Sequence, residues 1–321
     1  MTDTDADGDS ASDAHGASDE NAGSTAGWFA VDATEADGDE ASLRRRIAAG
    51  SADAPRDWPR LAVDAGFADT GDDYYDRLHA ATVDATRETV RERERADDQQ
   101  LVHAVRAMDD CERTANELAE RAAEWAGSLF DDAAPGIDGA RAVAARDPDG
   151  ELERRAVSLA ERVVDLAAER DALAETIDRL APAVAPNLAE MAGPELAARL
   201  IALAGGLESL AKKPSGTVQV LGAEDALFAH LSGRAPSPKH GIIYTHEYVR
   251  NTRPDDRGSA SRALAGKLTL AARVDHYSGE RRETLHEELR ERMATIRARA
   301  EAETDTDTET DDTAADPEGD R

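Results

Sequence analysis

The sequence predicts a mainly α-helical protein built around two long helices that form an antiparallel hairpin. Aromatic residues make up only 4% of the 321 residues, so the core must come from Ala, Leu, Val and Ile, which favours closely packed helices over an aromatic-rich β-sandwich. Apolar residues recur every three or four positions over long stretches, and this spacing is the period of an amphipathic helix. Proline and glycine separate these stretches, as expected where helices begin and end.

Charge and cysteine content restrict the class of protein further. The net charge is −30, and no window approaches the roughly 20 apolar residues that a membrane-spanning helix needs. The N-terminus is acidic where a signal peptide would be basic and then apolar. The single cysteine, Cys111, excludes a disulfide framework and a Cys-rich zinc site. We therefore expect a cytoplasmic protein without a membrane partner.

Basic residues are concentrated in one part of the chain. Only four of the 38 basic residues are lysines, and acidic residues occupy nearly every segment, a composition typical of haloarchaeal proteins that stay soluble in high salt. Residues 186–300 instead hold all four lysines, with 17 Lys and Arg against 14 Asp and Glu, so this stretch carries +3 and the remainder carries −33. A chance fluctuation or an acidic protein partner would explain this, but a polyanion site, usually for nucleic acid, is the favoured interpretation.

The two ends and the first folded segment differ in composition. Residues 1–27 and 301–321 are acidic, poor in apolar residues, and predicted to be disordered. Residues 28–85 hold half of the aromatic residues, which predicts a small α+β module. Within it, GWFAVDA at 27–33 predicts a short strand, and EASLRRRIAAG at 40–50 predicts a helix that ends at a glycine.

Residues 86–185 predict the coiled-coil hairpin. One apolar stripe runs through residues 101–129, a segment rich in Pro and Gly interrupts it, and a second stripe runs through 152–180. The second stripe follows a heptad pattern in which only Arg170 occupies an apolar position. Stripes this long and narrow favour a seam with a second copy of the chain, or with another chain, over packing within one chain only. The predicted dimer seam consists of Leu152, Leu159, Val163, Leu166 and Leu173.

Residues 186–300 predict an all-helical domain. A proline starts one helix and a glycine pair ends it, between residues 194 and 206. Residues 259–277 predict another helix, on which Arg262 and Arg273 are about three turns apart and therefore lie on one face.

Motifs of known enzyme classes are not found. Residues 261–269 end like a phosphate-binding loop, but Ser261 stands in place of its first glycine and Leu268 in place of the hydroxyl that contacts magnesium. His240 and His246 have no cysteine or acidic cluster beside them, so we expect no metal site. The sequence predicts no catalytic group and no cofactor.

Three motifs that occur in order closely resemble the Nop domain of box C/D ribonucleoprotein core proteins. They are APNLAEMAGPELAARLIALAGGLESLAKKPSGTVQVLGAEDALFAHL, PSPKHGIIYTHEYV and RGSASRALAGKLTLAARVDHYSGE. Upstream, QQLVHAVRAMDDCERTANELAERAAEWAGSLFDDA is similar to the coiled-coil region of the same family. The resemblance covers residues 86–277 and, together with the composition, indicates an archaeal member of the Nop fifty-six/fifty-eight-like family.

The resemblance implies a non-catalytic scaffold for RNA-guided 2′-O-methylation of rRNA or tRNA. In this family the N-terminal module binds the methyltransferase fibrillarin, the coiled coil forms a homodimer, and the Nop domain binds box C/D guide RNA together with a kink-turn-binding ribosomal-type protein. Family positions on the RNA–protein surface correspond here to Lys212, Lys213, Gly222, Ala223, Glu224, Lys239, His240, Arg257, Arg262 and Lys267.

Some features depart from the family pattern. Residues 28–85 are shorter than the usual first domain and do not match it, so no fibrillarin-contact residue is transferred. Asp225 stands where the family commonly has Lys, which removes one phosphate contact. Lys267 has a second interpretation, in which its side chain only covers the helix surface. A stand-alone RNA chaperone, or an enzyme with an unrecognised site in the N-terminal module, is the alternative function.

Overall fold

A computed structural model describes residues 27–29, 40–50 and 55–312, without the side chains of Glu40 and 299–312. The chain forms two compact units that divide between Arg93 and Glu94. All regular elements in this described part are helical, which confirms the mainly α prediction. The predicted boundary after residue 85 falls inside a helix, and the described residues from Glu94 onward belong to one compact unit.

The first unit contains three helices in its described residues. These are α1 (Glu40–Ala49), α2 (Trp58–Asp64) and α3 (Gly71–Arg95). Aromatic side chains form the core: Phe29 and Tyr74 are buried, and Trp28 donates a hydrogen bond from Nε1 to Tyr74 Oη at 3.3 Å. The helix predicted at 40–50 is present as α1. The aromatic residues that are concentrated in this segment form the core of the module.

The predicted strand at 27–33 is not formed where the structure describes it. Trp28 and Phe29 lie in a turn, and residues 30–33 lie outside the described part. Both rings pack edge to face, with centroids 6.1 Å apart, instead of pointing to opposite sides as in a strand. Trp28 and Phe29 thus pack into the same core, whereas consecutive side chains of an extended strand point to opposite faces.

The second unit contains eleven α-helices and a 3₁₀ turn in its described residues. They are α4 (Asp97–Gly127), α5 (Gly136–Ala144), α6 (Glu151–Val184), α7 (Pro186–Ala192), α8 (Pro194–Ala204), α9 (Leu207–Lys212), α10 (Ser215–Val220), α11 (Glu224–Leu231), the 3₁₀ turn (Ile242–Thr245), α12 (Glu247–Arg250), α13 (Arg257–Tyr277) and α14 (Glu283–Asp312).

The hairpin predicted from the two stripes is formed by α4 and α6. Its core is rich in alanine, and these small side chains let the two helix backbones approach closely. The Pro- and Gly-rich interruption is not a simple turn, because it contains α5, which packs on both long helices. Gly139 is required there, since a β-carbon at this position would lie 1.8 Å from Ala134 O.

The residues of the predicted dimer seam have different surroundings. Val163 is fully buried in the core of its own hairpin, and Leu173 packs against the main core of the second unit, so both are used within one chain. Leu152 is 62% exposed, and Leu159 and Leu166 are half-buried. The pattern predicted which face of α6 is apolar, but most of that face packs inside the chain.

The main core of the second unit is built around α13, whose Leu264 and Leu268 are almost fully buried. α14 packs along α13 through Leu289 and Met293. The tail predicted as disordered from residue 301 differs in part, because α14 extends to Asp312 and only residues 313–321 lie outside the described part. Continuing an existing helix needs no new nucleation, which explains this extension.

The N-termini of two helices in this unit are capped by carboxylates from distant parts of the chain. Asp275 on α13 accepts hydrogen bonds from Asn187 N–H at 3.0 Å and Leu188 N–H at 2.9 Å, at the start of α7. Asp98 on α4 accepts one from Leu207 N–H at 2.9 Å, at the start of α9. The residues before α7 and α9 provide no capping side chain of their own, so the remote carboxylates satisfy otherwise unpaired donors.

Candidate RNA-binding surface

The loop that contains Lys239 and His240 is attached to the end of α10. Gly241 N–H donates to Gln219 O at 2.9 Å, and Ile242 N–H donates to Leu221 O at 2.8 Å. Gln219 also donates from its side chain to Lys239 O at 2.7 Å. A β-carbon at Gly241 would lie 2.1 Å from Leu221 O, so the close approach of the two segments requires glycine.

Three planar side chains lie next to one another where this loop ends. The rings of His240 and Tyr244 stack with centroids 4.5 Å apart and an angle of 23° between their planes. The guanidinium carbon of Arg257 lies 5.4 Å from the centre of the Tyr244 ring. Lys239 passes the start of α13, where its Cδ would lie 3.9 Å from a β-carbon at Gly258. We call Lys239, His240, Tyr244 and Arg257 the His240 cluster.

The electrostatics of the cluster keep the His240 imidazole neutral near neutral pH. Burial lowers the pKa of His240, and the positive charges of Arg257 and Lys239 lower it further. A neutral imidazole has one donor and one acceptor nitrogen and an uncharged face for stacking. The cluster therefore combines two permanent cations with a neutral ring.

Gly222, Ala223 and Glu224 border the same loop. Gly222 has φ +82°, and a β-carbon there would lie 3.3 Å from Ile242 Cβ, on the turn that follows the loop. Its N–H donates to Glu224 Oε1 at 2.8 Å, so this carboxylate is occupied in shaping the turn before α11. Ala223 is half-buried between them. Six of the ten predicted site residues, these three with Lys239, His240 and Arg257, thus come together.

The exposed apolar surface of α11 was not predicted from the sequence. None of its residues is buried, and two of its three large apolar side chains, Phe228 and Leu231, are 66% and 76% exposed. The available signal was an apolar stripe on a short helix directly after an acidic pair. Large apolar side chains exposed together indicate a contact surface for another molecule.

Lys212 and Lys213 lie at the end of α9. Lys212 Nζ pairs with Glu208 Oε1 at 2.5 Å, and this hydrogen bond raises the pKa of Lys212. The exposed Arg273 holds the end of α9 in place, because its Nε donates to Ala211 O at 3.0 Å. Since Arg257 and Arg273 are at opposite ends of α13, this second group lies roughly 24 Å along the helix from the His240 cluster.

The remaining predicted residues on α13 behave differently from each other. Arg262 is exposed. Lys267 forms an ion pair with Glu288 of α14, and its side chain is only 22% exposed. The ammonium of Lys267 is therefore already paired within the chain.

Two further observations concern metals and membranes. Within the residues that the structure describes, no group of three or more His, Cys, Asp or Glu side chains is arranged to hold a metal ion. None of the helices in this same part of the chain is long and apolar enough to cross a bilayer.

Comparison with known proteins identifies relatives for most of the chain. The family model described as "Nop: snoRNA binding domain, fibrillarin" matches residues 143–297. A NOP5 family protein of Methanocaldococcus jannaschii is 33% identical over 279 residues, which cover 74% of this chain and 66% of that protein. Nucleolar protein 58 of Candida albicans is 34% identical over 224 residues, 58% of this chain and 43% of that protein.

Two other similarities are found. Nucleolar protein 56 of Schizosaccharomyces pombe is 44% identical over 122 residues, 38% of this chain and 24% of that protein. A crystal structure of a fibrillarin/Nop5p complex contains a chain that is 25% identical, with 84% of this chain and 98% of that chain covered and a TM-score of 0.47. The chain therefore spans about two thirds or less of the length of the curated relatives that it matches.

Proposed function

Because this chain belongs to the Nop-domain family, we propose that it is a scaffold subunit, without catalytic activity of its own, of a box C/D ribonucleoprotein that guides 2′-O-methylation of rRNA or tRNA. The observation that carries the proposal is the convergence of six predicted site residues around one loop, inside the stretch matched by the Nop model. These residues come from three separate segments of the sequence, so their meeting is a property of the fold and supports a common binding task.

The His240 cluster supports guide RNA as one ligand. Lys239 supplies an exposed ammonium, Arg257 supplies a second cation, and the half-buried His240 supplies a neutral ring. Cations positioned beside a ring fit the phosphates and exposed bases of bulged or single-stranded RNA. Lys212 and Lys213, at the other end of α13, extend the basic surface along the domain.

α11 supports a protein as the second ligand of the same domain. Phe228 and Leu231 expose apolar surface that RNA phosphates do not cover, and α11 follows directly from Gly222 at the edge of the loop. We propose that the kink-turn-binding protein contacts α11 while its RNA contacts the His240 cluster. The two surfaces would then recognise the RNA–protein complex rather than either partner alone.

The other parts of the chain have separate tasks in the proposal. The first unit, with its aromatic core around Phe29 and Tyr74, binds fibrillarin. The hairpin of α4 and α6 pairs with a second copy through Leu152, Leu159 and Leu166, whose side chains are at least partly accessible. In this arrangement the second unit holds the RNA, and the first unit brings the methyltransferase to it.

A reconstituted methylation assay tests the proposed function. Transfer of a labelled methyl group to a target RNA is measured with the full chain, fibrillarin, the kink-turn protein and a guide RNA, and with each component omitted in turn. We expect transfer only when all four are present. Methyl transfer by the isolated chain would support the enzyme alternative, and full transfer without the chain would contradict a scaffold role.

A further inference from the structure

We infer that Tyr244 and Arg257 are positioning residues, which hold the His240 ring so that its uncovered side stacks on an unpaired RNA base. This inference rests on the proposed function and deepens it, because it assigns a mechanism to one point of the RNA-binding surface. Tyr244 is not among the residues predicted from the sequence, and in this role it need not contact the RNA itself.

Tyr244 has a fixed position. It lies in the 3₁₀ turn, where its N–H donates to Gly241 O at 3.0 Å. Its neighbour Ile243 is fully buried and anchors the turn in the main core. The ring is therefore attached to the rigid part of the domain, although it lies at the edge of a surface loop.

The Tyr244 ring has two neighbours that lie within contact distance. His240 stacks on the ring at 4.5 Å, and the Arg257 guanidinium lies within cation–π distance at 5.4 Å. Arg257 is itself held, because its Nε donates to Thr252 O at 3.0 Å and Thr252 is buried. The tyrosine thus contacts a guanidinium that is itself held in place, and His240 stacks on the tyrosine.

This arrangement leaves the His240 ring suited to stacking on a base. Tyr244 covers one side of the imidazole, and the ring remains half-buried rather than enclosed. A ring that is held before binding loses less conformational freedom when a base stacks on it, and this preorganisation increases affinity. The lowered pKa of His240 agrees with this role, since a neutral ring presents the same surface across the neutral pH range.

The test uses the full chain and a kink-turn RNA already bound by the kink-turn protein, in which one unpaired nucleotide at a time is replaced by the fluorescent base 2-aminopurine. Stacking on an aromatic ring quenches this base. We expect wild-type chain to quench one unpaired position, and His240→Ala and Tyr244→Leu both to lose the quenching and bind on the order of tenfold more weakly. Tyr244→Phe, which keeps the ring, should retain both properties.

Two further variants separate positioning from folding. Arg257→Lys keeps the charge but loses the planar group, so we expect reduced quenching with an unchanged far-UV circular dichroism spectrum. Tyr277→Leu makes the same substitution at an exposed tyrosine in the same unit and should leave quenching unchanged. If Tyr244→Leu does not fold, the comparison of Arg257→Lys with wild type decides the result.

The outcomes distinguish this inference from the proposed function. No binding of the wild-type chain to the RNA–protein complex would overturn the proposed function and this inference with it. Binding that quenches no position, or quenching that neither Tyr244→Leu nor Arg257→Lys reduces, would overturn the inference alone.

Discussion

At the scale of single residues, Asp275 is the group whose removal is expected to cost most stability. Its carboxylate is buried and accepts hydrogen bonds from the side chain of Asn187 at 2.6 Å and from two N–H groups at the start of α7. Asp275→Asn replaces one acceptor oxygen by a donor that faces other donors. We expect the free energy of unfolding to fall by about 2–4 kcal/mol, measured by urea denaturation. Asp255→Asn removes the same charge at an exposed site and should change it by less than about 0.5 kcal/mol.

His246 should make stability depend on pH. Its Nδ1 accepts from Tyr248 N–H at 3.1 Å, its Nε2 donates to Met191 O at 3.1 Å, and burial lowers its pKa despite the opposing effect of that second bond. Below the ordinary histidine pKa of about 6.5, the unfolded chain takes up a proton that the folded chain resists, so stability falls as pH falls.

The measurement is the melting temperature of wild-type protein and His246→Asn at pH 7.5 and 5.5. Asparagine keeps an acceptor for the start of α12 but does not titrate, so the variant should lose less stability between these pH values. The variant His79→Asn, at an exposed histidine, should respond to pH as the wild type does. An identical pH response in His246→Asn and wild type would contradict this assignment.

Lys239 and Lys267 allow a matched test of where the RNA-binding surface lies. Lys239 is exposed in the His240 cluster, whereas Lys267 is paired with Glu288. Lys239→Ala should weaken binding to the RNA–protein complex by roughly 1–3 kcal/mol, the range for a charged contact, and Lys267→Ala should leave binding unchanged. Gel-shift titration measures both, and a larger effect at Lys267 would show that the surface lies on the α14 side of the domain.

At the scale of elements, the sequence predicted long helices well and short, irregular segments poorly. In the two hairpin helices the apolar spacing repeats over many turns, so α4 and α6 could be predicted from the sequence. The interruption between them holds α5, whose nine residues are too few for a periodic signal. The capping of α7 by Asp275 was beyond prediction too, because the carboxylate and the helix that it caps are 87 residues apart.

The accessible leucines of α6 should drive pairing of two chains. Leu159 packs against the hairpin core, and both Leu159 and Leu166 are half-buried. Placing aspartate at both positions would bury unpaired charges in a dimer seam at a cost of several kcal/mol, so we expect a monomer by light scattering. Ser158→Asp with Ala168→Asp adds the same charge at exposed positions of α6 and should leave the dimer intact. A double Leu159→Asp, Leu166→Asp variant with the mass of the wild-type dimer would contradict the seam.

At the scale of the whole molecule, the distribution of charge predicted where the binding domain lies but not how its residues meet. Four lysines and a net charge of +3 mark residues 186–300 against an acidic remainder, and charge can be counted without a fold. The approach of Lys239 and His240 to Gly222 and Arg257 depends on a loop attached to α10 and on the path of α13. Such contacts follow from tertiary packing and leave no local pattern.

The central claim is that the second unit recognises an RNA–protein complex rather than RNA alone. A domain charge of +3 in a chain of −30 provides little attraction for phosphate, and salt weakens that attraction further. Shape and contacts shared with the kink-turn protein must therefore supply most of the affinity. The most direct test is a gel-shift titration of the full chain against guide RNA, with and without the kink-turn protein, at fixed salt. We predict a shift at low concentration only when the kink-turn protein is present; equally tight binding to naked RNA would contradict the claim.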